Sequence, residues 1–262
     1  MIRILIVLGA VVGTLIFFLQ FQEVSDEGPI IVRNPPHATS STMISTTTPV
    51  VPSIAESPAT STPHASSTVT VEEAGWKAAI ATVFWVGEGA TSDNGFIHNA
   101  ESAWDGEWMT HFGGVDDPGN RCGFLPCGFT PKENPFYIAL PYNDLDDRGN
   151  RKSDARVIPW NDPGAEKSVL KNRWVEVRVG QTSCFGQWQD VGPFYEDDAA
   201  YVFGTAITPK NVSGEKAGID LSPALATCLS IDGSDEVVWR HRSVNQVPQG
   251  AWKDTITTRS SQ

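Results

Sequence analysis

Carboxylates supply the chemistry this sequence offers. Asp190 sits in Gln189-Asp190-Val191-Gly192-Pro193-Phe194, after an apolar run and before a Gly-Pro bend. A carboxyl held partly out of water there has a raised pKa and can act as a general acid. The plainer reading is an Asx turn that shapes the bend. Asp220 sits in Gly218-Ile219-Asp220-Leu221-Ser222-Pro223-Ala224. Ser222 already supplies a helix cap there, so capping does not require Asp220, although its charge would favour the helix start. Asp105, after Trp104, is a candidate partner carboxylate or a solvated loop residue.

Other side chains have weaker claims. His98, His111 and His241 are isolated from one another, and His241 falls on the charged face of a strand, where it is expected to be exposed. All nine Trp lie between Trp76 and Trp252. Trp85, Trp104, Trp108 and Trp188 offer faces for stacking on sugar rings, and equally the large apolar areas that build a core. Asp144-Leu145-Asp146-Asp147-Arg148-Gly149 imitates a calcium loop, but Arg148 and Ala155 occupy positions that need oxygen ligands. Asn211-Val212-Ser213 is a glycosylation sequon. Neither a P-loop nor a G-x-S-x-G or H-E-x-x-H motif occurs, and no cofactor is expected.

The elements that position these residues are mostly strands. Ala79–Val86, Phe136–Leu140, Trp174–Val179, Cys184–Trp188 and Val237–Ser243 are β-branched or aromatic, with period two clearest in Trp174–Val179. Long Gly/Pro-rich loops separate them, the pattern of a small barrel with insertions. Ser222 as N-cap and Pro223 at N1 predict one helix, and Glu196–Val202 a shorter helical turn. Cys122, Cys127, Cys184 and Cys228 allow three pairings. The close spacing around Pro126 favours a local Cys122–Cys127 bridge, which leaves Cys184 with Cys228. No zinc-knuckle spacing is present, so no metal is expected.

Residues 1–22 differ from everything after them. Ile4–Phe21 is uncharged and would make a helix about 27 Å long, near the thickness of a bilayer core. Arg3 precedes it, Glu23, Asp26 and Glu27 follow it, and no small-residue cleavage site is visible. The expectation is a single uncleaved transmembrane anchor, with a cleaved signal segment as the alternative, and the rest of the chain outside the cytoplasm. Ser, Thr and Pro make up 23 of the 37 residues from Asn34 to Thr70, so residues 23–71 read as a disordered linker. The foldable part is then 72–252, with a disordered polar tail at 253–262. Residues 72–262 hold 17 basic and 27 acidic side chains, an unsuitable surface for a phosphate backbone. Nucleic acid is excluded as a partner.

The phrases Asp190-Val191-Gly192-Pro193-Phe194 and Ile219-Asp220-Leu221-Ser222-Pro223-Ala224, in that order, resemble the D-x-G-P-F and I-D-L-S-x-A phrases of the rare lipoprotein A family, whose double-psi β-barrel is shared with expansins. Ala81–Val86 is similar to the family's first strand, and Ala103-Trp104-Asp105 to its aromatic-Asp step. The resemblance covers about Ala79–Ser243, with insertions near Gly113–Pro135 and Asp144–Lys171. It implies a mainly β fold, a six-stranded double-psi barrel with one or two short helices, acting on peptidoglycan or another envelope polysaccharide. Some members are lytic transglycosylases, and others show no catalysis. The family's acidic residues would fall on Asp190 and Asp105, and Glu101 loosely matches a nearby Glu. Asp190 is then the expected acid, supported by Asp105 or Asp220, with Glu101, Trp85, Trp104, Trp188 and His111 contacting glycan. The family also has a His before its second strand. Phe129-Thr130-Pro131-Lys132 lacks one, and His111 is the only stand-in. A non-catalytic glycan-binding or wall-loosening module is the alternative.

Overall fold

The computed structural model describes residues 75–260. The expected anchor (1–22) and linker (23–71) lie outside the described residues, as do 72–74 and 261–262. Among the described residues, no helix is long and apolar enough to cross a membrane.

In chain order the elements are β1 (Lys77–Val83), α1 (Trp108–Phe112), β2 (Arg121–Cys122), β3 (Leu125–Pro126), β4 (Tyr137–Leu140), β5 (Trp174–Val179), β6 (Thr182–Val191), α2 (Ala199–Val202), β7 (Ile219–Leu221), α3 (Pro223–Leu229) and β8 (Asp235–Arg242), with three short 3-10 turns. Six strands close into a mixed barrel in the order β1-β7-β4-β6-β5-β8. The pairs β1–β7 and β4–β6 are parallel and the other four antiparallel. Closure leaves no edge with unpaired amides. The small ribbon β2–β3 stands apart, within the first insertion.

Strand alternation divides the apolar side chains into two sets. Ile138 and Leu140 of β4, Val175 and Val177 of β5, Trp188 of β6, Ile219 and Leu221 of β7, and Trp239 of β8 fill the main core. Tyr137 and Ala139 point the other way, where Phe84, Val86, Trp108 and Phe112 cover them in a second cluster. α3 packs on β6 at Gly186, where a Cβ would come within 2.7 Å of Leu225 Cδ1. Its start is built as the sequence requires, with Ser222 Oγ accepting from Leu225 N–H and Pro223 in the first turn. The Cys184–Cys228 disulfide ties β6 to α3, and Cys122–Cys127 closes the β2–β3 ribbon.

Several expectations need correction. The first strand stops at Val83, so Trp85 lies in the loop that follows it. β7, which contains Asp220, is a three-residue strand hidden in the sequence by its shortness. His241 is not exposed: its ring lies among Trp160, Trp188, Phe203 and Trp239, with centroids 4.9–5.9 Å away. The polar residues after Trp252 are docked as far as Arg259. Thr257 is buried, exchanges hydrogen bonds with Gln187 and accepts one from Asn134 N–H. Arg259 pairs with Glu133. A segment can be held by side-chain amides without any apolar pattern, so hydropathy does not reveal it.

Candidate active site: two carboxylates in one cleft

The strand register brings Asp190 and Asp220 together. Ala139 of β4 is opposite Asp190 of β6 on one side and Asp220 of β7 on the other, and Asp220 is opposite Thr82 of β1. The four residues form a row, Thr82–Asp220–Ala139–Asp190, on the face turned away from the main core. The two aspartate backbones are two strand spacings apart, roughly 10 Å. The small side chain between them leaves the carboxylates facing a common space. That space is a cleft of about 870 Å³, with Thr82, Phe84, Trp85, Glu88, Ala139, Asp190, Gly192, Phe194 and Asp220 among its lining residues. Gly192 borders it so closely that a Cβ would come within 3.3 Å of Asp220 Oδ2.

Each carboxylate is held differently. Asp190 is 8% exposed, and its Oδ1 accepts from the backbone N–H groups of Ala103 (2.7 Å) and Val191 (2.8 Å). Its backbone carbonyl accepts from the Trp188 indole at 2.7 Å. Asp220 Oδ1 accepts from the Thr82 hydroxyl. Burial pushes the Asp190 carboxyl up to about 7, against the pull of the two amides. Burial also pushes Asp220 up to about 7; the Thr82 hydroxyl opposes this, and the charges of Asp190 and Glu88 add to it. Glu88 is raised mainly by burial, with Asn99 Nδ2 donating to it at 2.8 Å. Carboxyls in this range can both give and take a proton near neutrality.

Asp105 lies outside the cleft lining. It is buried beneath the loop that holds Asp190, with His111 Nδ1 at 2.8 Å and Lys171 Nζ at 3.5 Å. Burial alone would raise its pKa, but the His111 contact, the Glu107 N–H and the Lys171 charge hold it below the usual range. These contacts favour its ionised form. His111 is committed to the same cluster, and Glu101 is exposed outside the cleft. Trp104, Trp108 and Trp188 are core residues, and of the four candidate tryptophans only Trp85 lines the cleft. Asn211 is buried, and its amide donates to Ala217 O at 3.1 Å, so the sequon is closed to modification in the folded chain. Asp144 is buried against Arg151, Ser168 and the Val169 amide, an anchor for the second insertion. Among the described residues, no three His, Cys, Asp or Glu side chains are grouped to hold a metal ion.

Sequence reading missed Thr82, Glu88 and Phe194 as site residues. Thr82 carried a faint signal, the one hydroxyl within an apolar strand. Glu88 stood between two glycines, a pattern with many uses. No family model matches this chain, and no curated protein matches it significantly in sequence.

Proposed function

We propose that this barrel is a double-psi domain of the rare lipoprotein A type, acting on an envelope glycan, peptidoglycan in the first instance, by carboxylate-assisted glycosidic cleavage. The observation that carries this reading is the Asp190–Asp220 pair, both raised to about 7 on one cleft wall. Two amides stabilise negative charge on Asp190, whereas Asp220 faces two neighbouring carboxylates, which supports Asp220 as the group that holds the proton. In a lytic reaction that proton passes to the leaving glycosidic oxygen as the C1–O bond breaks. The sugar's own hydroxyl then bonds to C1 and returns its proton to the carboxylate, so no water is consumed. Trp85 and the half-exposed Phe194 offer apolar faces for sugar rings.

In this reading residues 1–22 anchor the chain and 23–71 carry the domain outside the cytoplasm. Two disulfides support an oxidising compartment. The pairing of His111 with Asp105, outside the cleft lining, favours a second reading in which the cleft binds glycan without cleaving it.

The test is incubation of the full chain with purified peptidoglycan sacculi, with D220N and D190N alongside. Anhydro-sugar fragments, reduced about 10²–10⁴-fold in D220N, support the lytic reading. Sedimentation with sacculi without release supports the binding module. Neither binding nor release refutes both.

A further inference from the structure

The two amides that hold Asp190 Oδ1 differ in how they are secured. Val191 N–H comes from the next residue of β6, whereas Ala103 N–H arrives from 87 residues earlier in the chain. Ala103 lies in a tight turn in which Ser102 and Asp105 exchange both backbone hydrogen bonds. That turn is clamped at two points. Within it, the Trp104 indole donates to Asn143 Oδ1 at 3.0 Å, and its ring packs edge-on against Trp188. At its end, the fully buried Asp105 side chain accepts from Glu107 N–H at 3.1 Å, meets His111 Nδ1 at 2.8 Å and faces Lys171 Nζ at 3.5 Å.

Lys171 is the last residue of the second insertion, and its side chain is 1% exposed. The following residue, Asn172, has φ 69° and donates its N–H to Trp188 O, which ties this stretch to β6 just before Asp190. Glu133 and Arg259 are the other charged groups around Lys171. Arg259 Nε lies 3.1 Å from Glu133 and 4.0 Å from Asp105, so Glu133 has a cation of its own and Lys171 is the close counter-ion of Asp105. A buried ion pair adds little net stability over apolar packing of the same volume. This one fixes the end of the turn that carries Ala103.

We propose that Lys171 is a positioning residue for the cleft: through Asp105 it locks the Ser102–Asp105 turn and so holds the Ala103 amide on Asp190. This rests on the carboxylate reading above and adds a control on Asp190 exerted by residues outside the cleft lining. The two amides and the Lys171 charge favour the Asp190 anion against the effect of burial, and Asp220 and Glu88 are the neighbouring carboxyls in the cleft. Loss of Lys171 removes its charge and frees the turn, and both changes disfavour the anion.

The experiment follows the Ala103 and Val191 amide resonances and the Asp190 carboxyl by NMR in the full chain, from mildly acidic to mildly alkaline pH. In wild type both amides are expected to move with the Asp190 titration, because both donate to Oδ1. In K171M, Val191 should keep its response, Ala103 should lose about half of its own or more, and the Asp190 midpoint should rise by about half a pH unit or more. D105N separates positioning from charge. It removes a negative charge, so charge alone would lower the midpoint, whereas release of the turn raises it. Thermal unfolding verifies the fold of each variant, and if only one folds, that one decides. An Ala103 amide that ignores Asp190 in wild type, or keeps its full response in a folded variant, overturns the proposal. A midpoint that stays or falls in either variant also overturns it. If neither variant folds, the pair is a structural support and the positioning role is overturned as well. Fragment release from sacculi is scored separately: its absence in wild type removes the cleavage reading and leaves the amide result standing.

Discussion

The substitution D190N should stabilise the protein at pH 8 while damaging its function. An aspartate that titrates near 3.8 in the unfolded chain and near 7 in the folded one binds its proton more tightly when folded. Below pH 3.8 both states are protonated and the group costs nothing. Between pH 3.8 and 7 the unfolded chain gains its charge first, so stability falls as pH rises. Above pH 7 the full cost is present, about 4 kcal/mol for that displacement. Asn cannot ionise, and its Oδ1 can still accept from Ala103 and Val191. Water entering the cleft and the coupling to Asp220 reduce the recoverable part, so we expect a gain of about 2 kcal/mol at pH 8 and close to none at pH 4. For a domain of this size that corresponds to a rise in Tm of roughly 4–8 °C. Urea unfolding of wild type and D190N from pH 4 to pH 8 measures it directly. A D190N protein less stable than wild type at pH 8, or a difference that does not change with pH, would refute the assignment of Asp190 as a carboxyl whose pKa burial raises.

Other expectations follow from the packing. D105N should destabilise at pH 7 by about 3–5 kcal/mol, because it leaves Lys171 buried without its partner charge. The sign of this effect with pH is opposite to that of Asp190. The Asp105 pKa is depressed, so the loss should shrink as acid protonates the wild-type carboxylate, seen as converging Tm values. Burial holds His241 neutral down to about 3, so wild-type stability should fall as pH drops from 6.5 towards 3; H241F should flatten that acid limb in calorimetry. Replacing Cys184 and Cys228 by Ala should cost about 4 kcal/mol, since that bridge spans 44 residues. The five-residue Cys122–Cys127 bridge should cost about half as much, compared by denaturant midpoints.

Local chemistry was legible in the sequence wherever it is local in space. Trp174–Val179 could be read as a strand to the residue because alternation is a property of one segment. Ser222-Pro223 announced its helix because a cap involves neighbours three residues apart. The phrases around Asp190 and Asp220 drew attention to the two carboxylates the cleft brings together. Everything decided by register was hidden. The row from Thr82 through Asp220 and Ala139 to Asp190 joins four strands, and no periodicity within one segment states which residue of another it will oppose. Asp105 and Asp190 look alike in sequence, yet a neighbouring histidine and a buried lysine hold the pKa of one down, while desolvation raises that of the other to about 7. His241 illustrates the same limit: it alternates with charged neighbours along β8, but Trp160 and Phe203 arrive from distant loops to enclose its ring. The sequence by itself determined most of the long strands, the capped helix and the two carboxylates that could do chemistry. The closure of the barrel decided which of those side chains share a cleft and in what charge state, because burial and electrostatic coupling depend on distances through space.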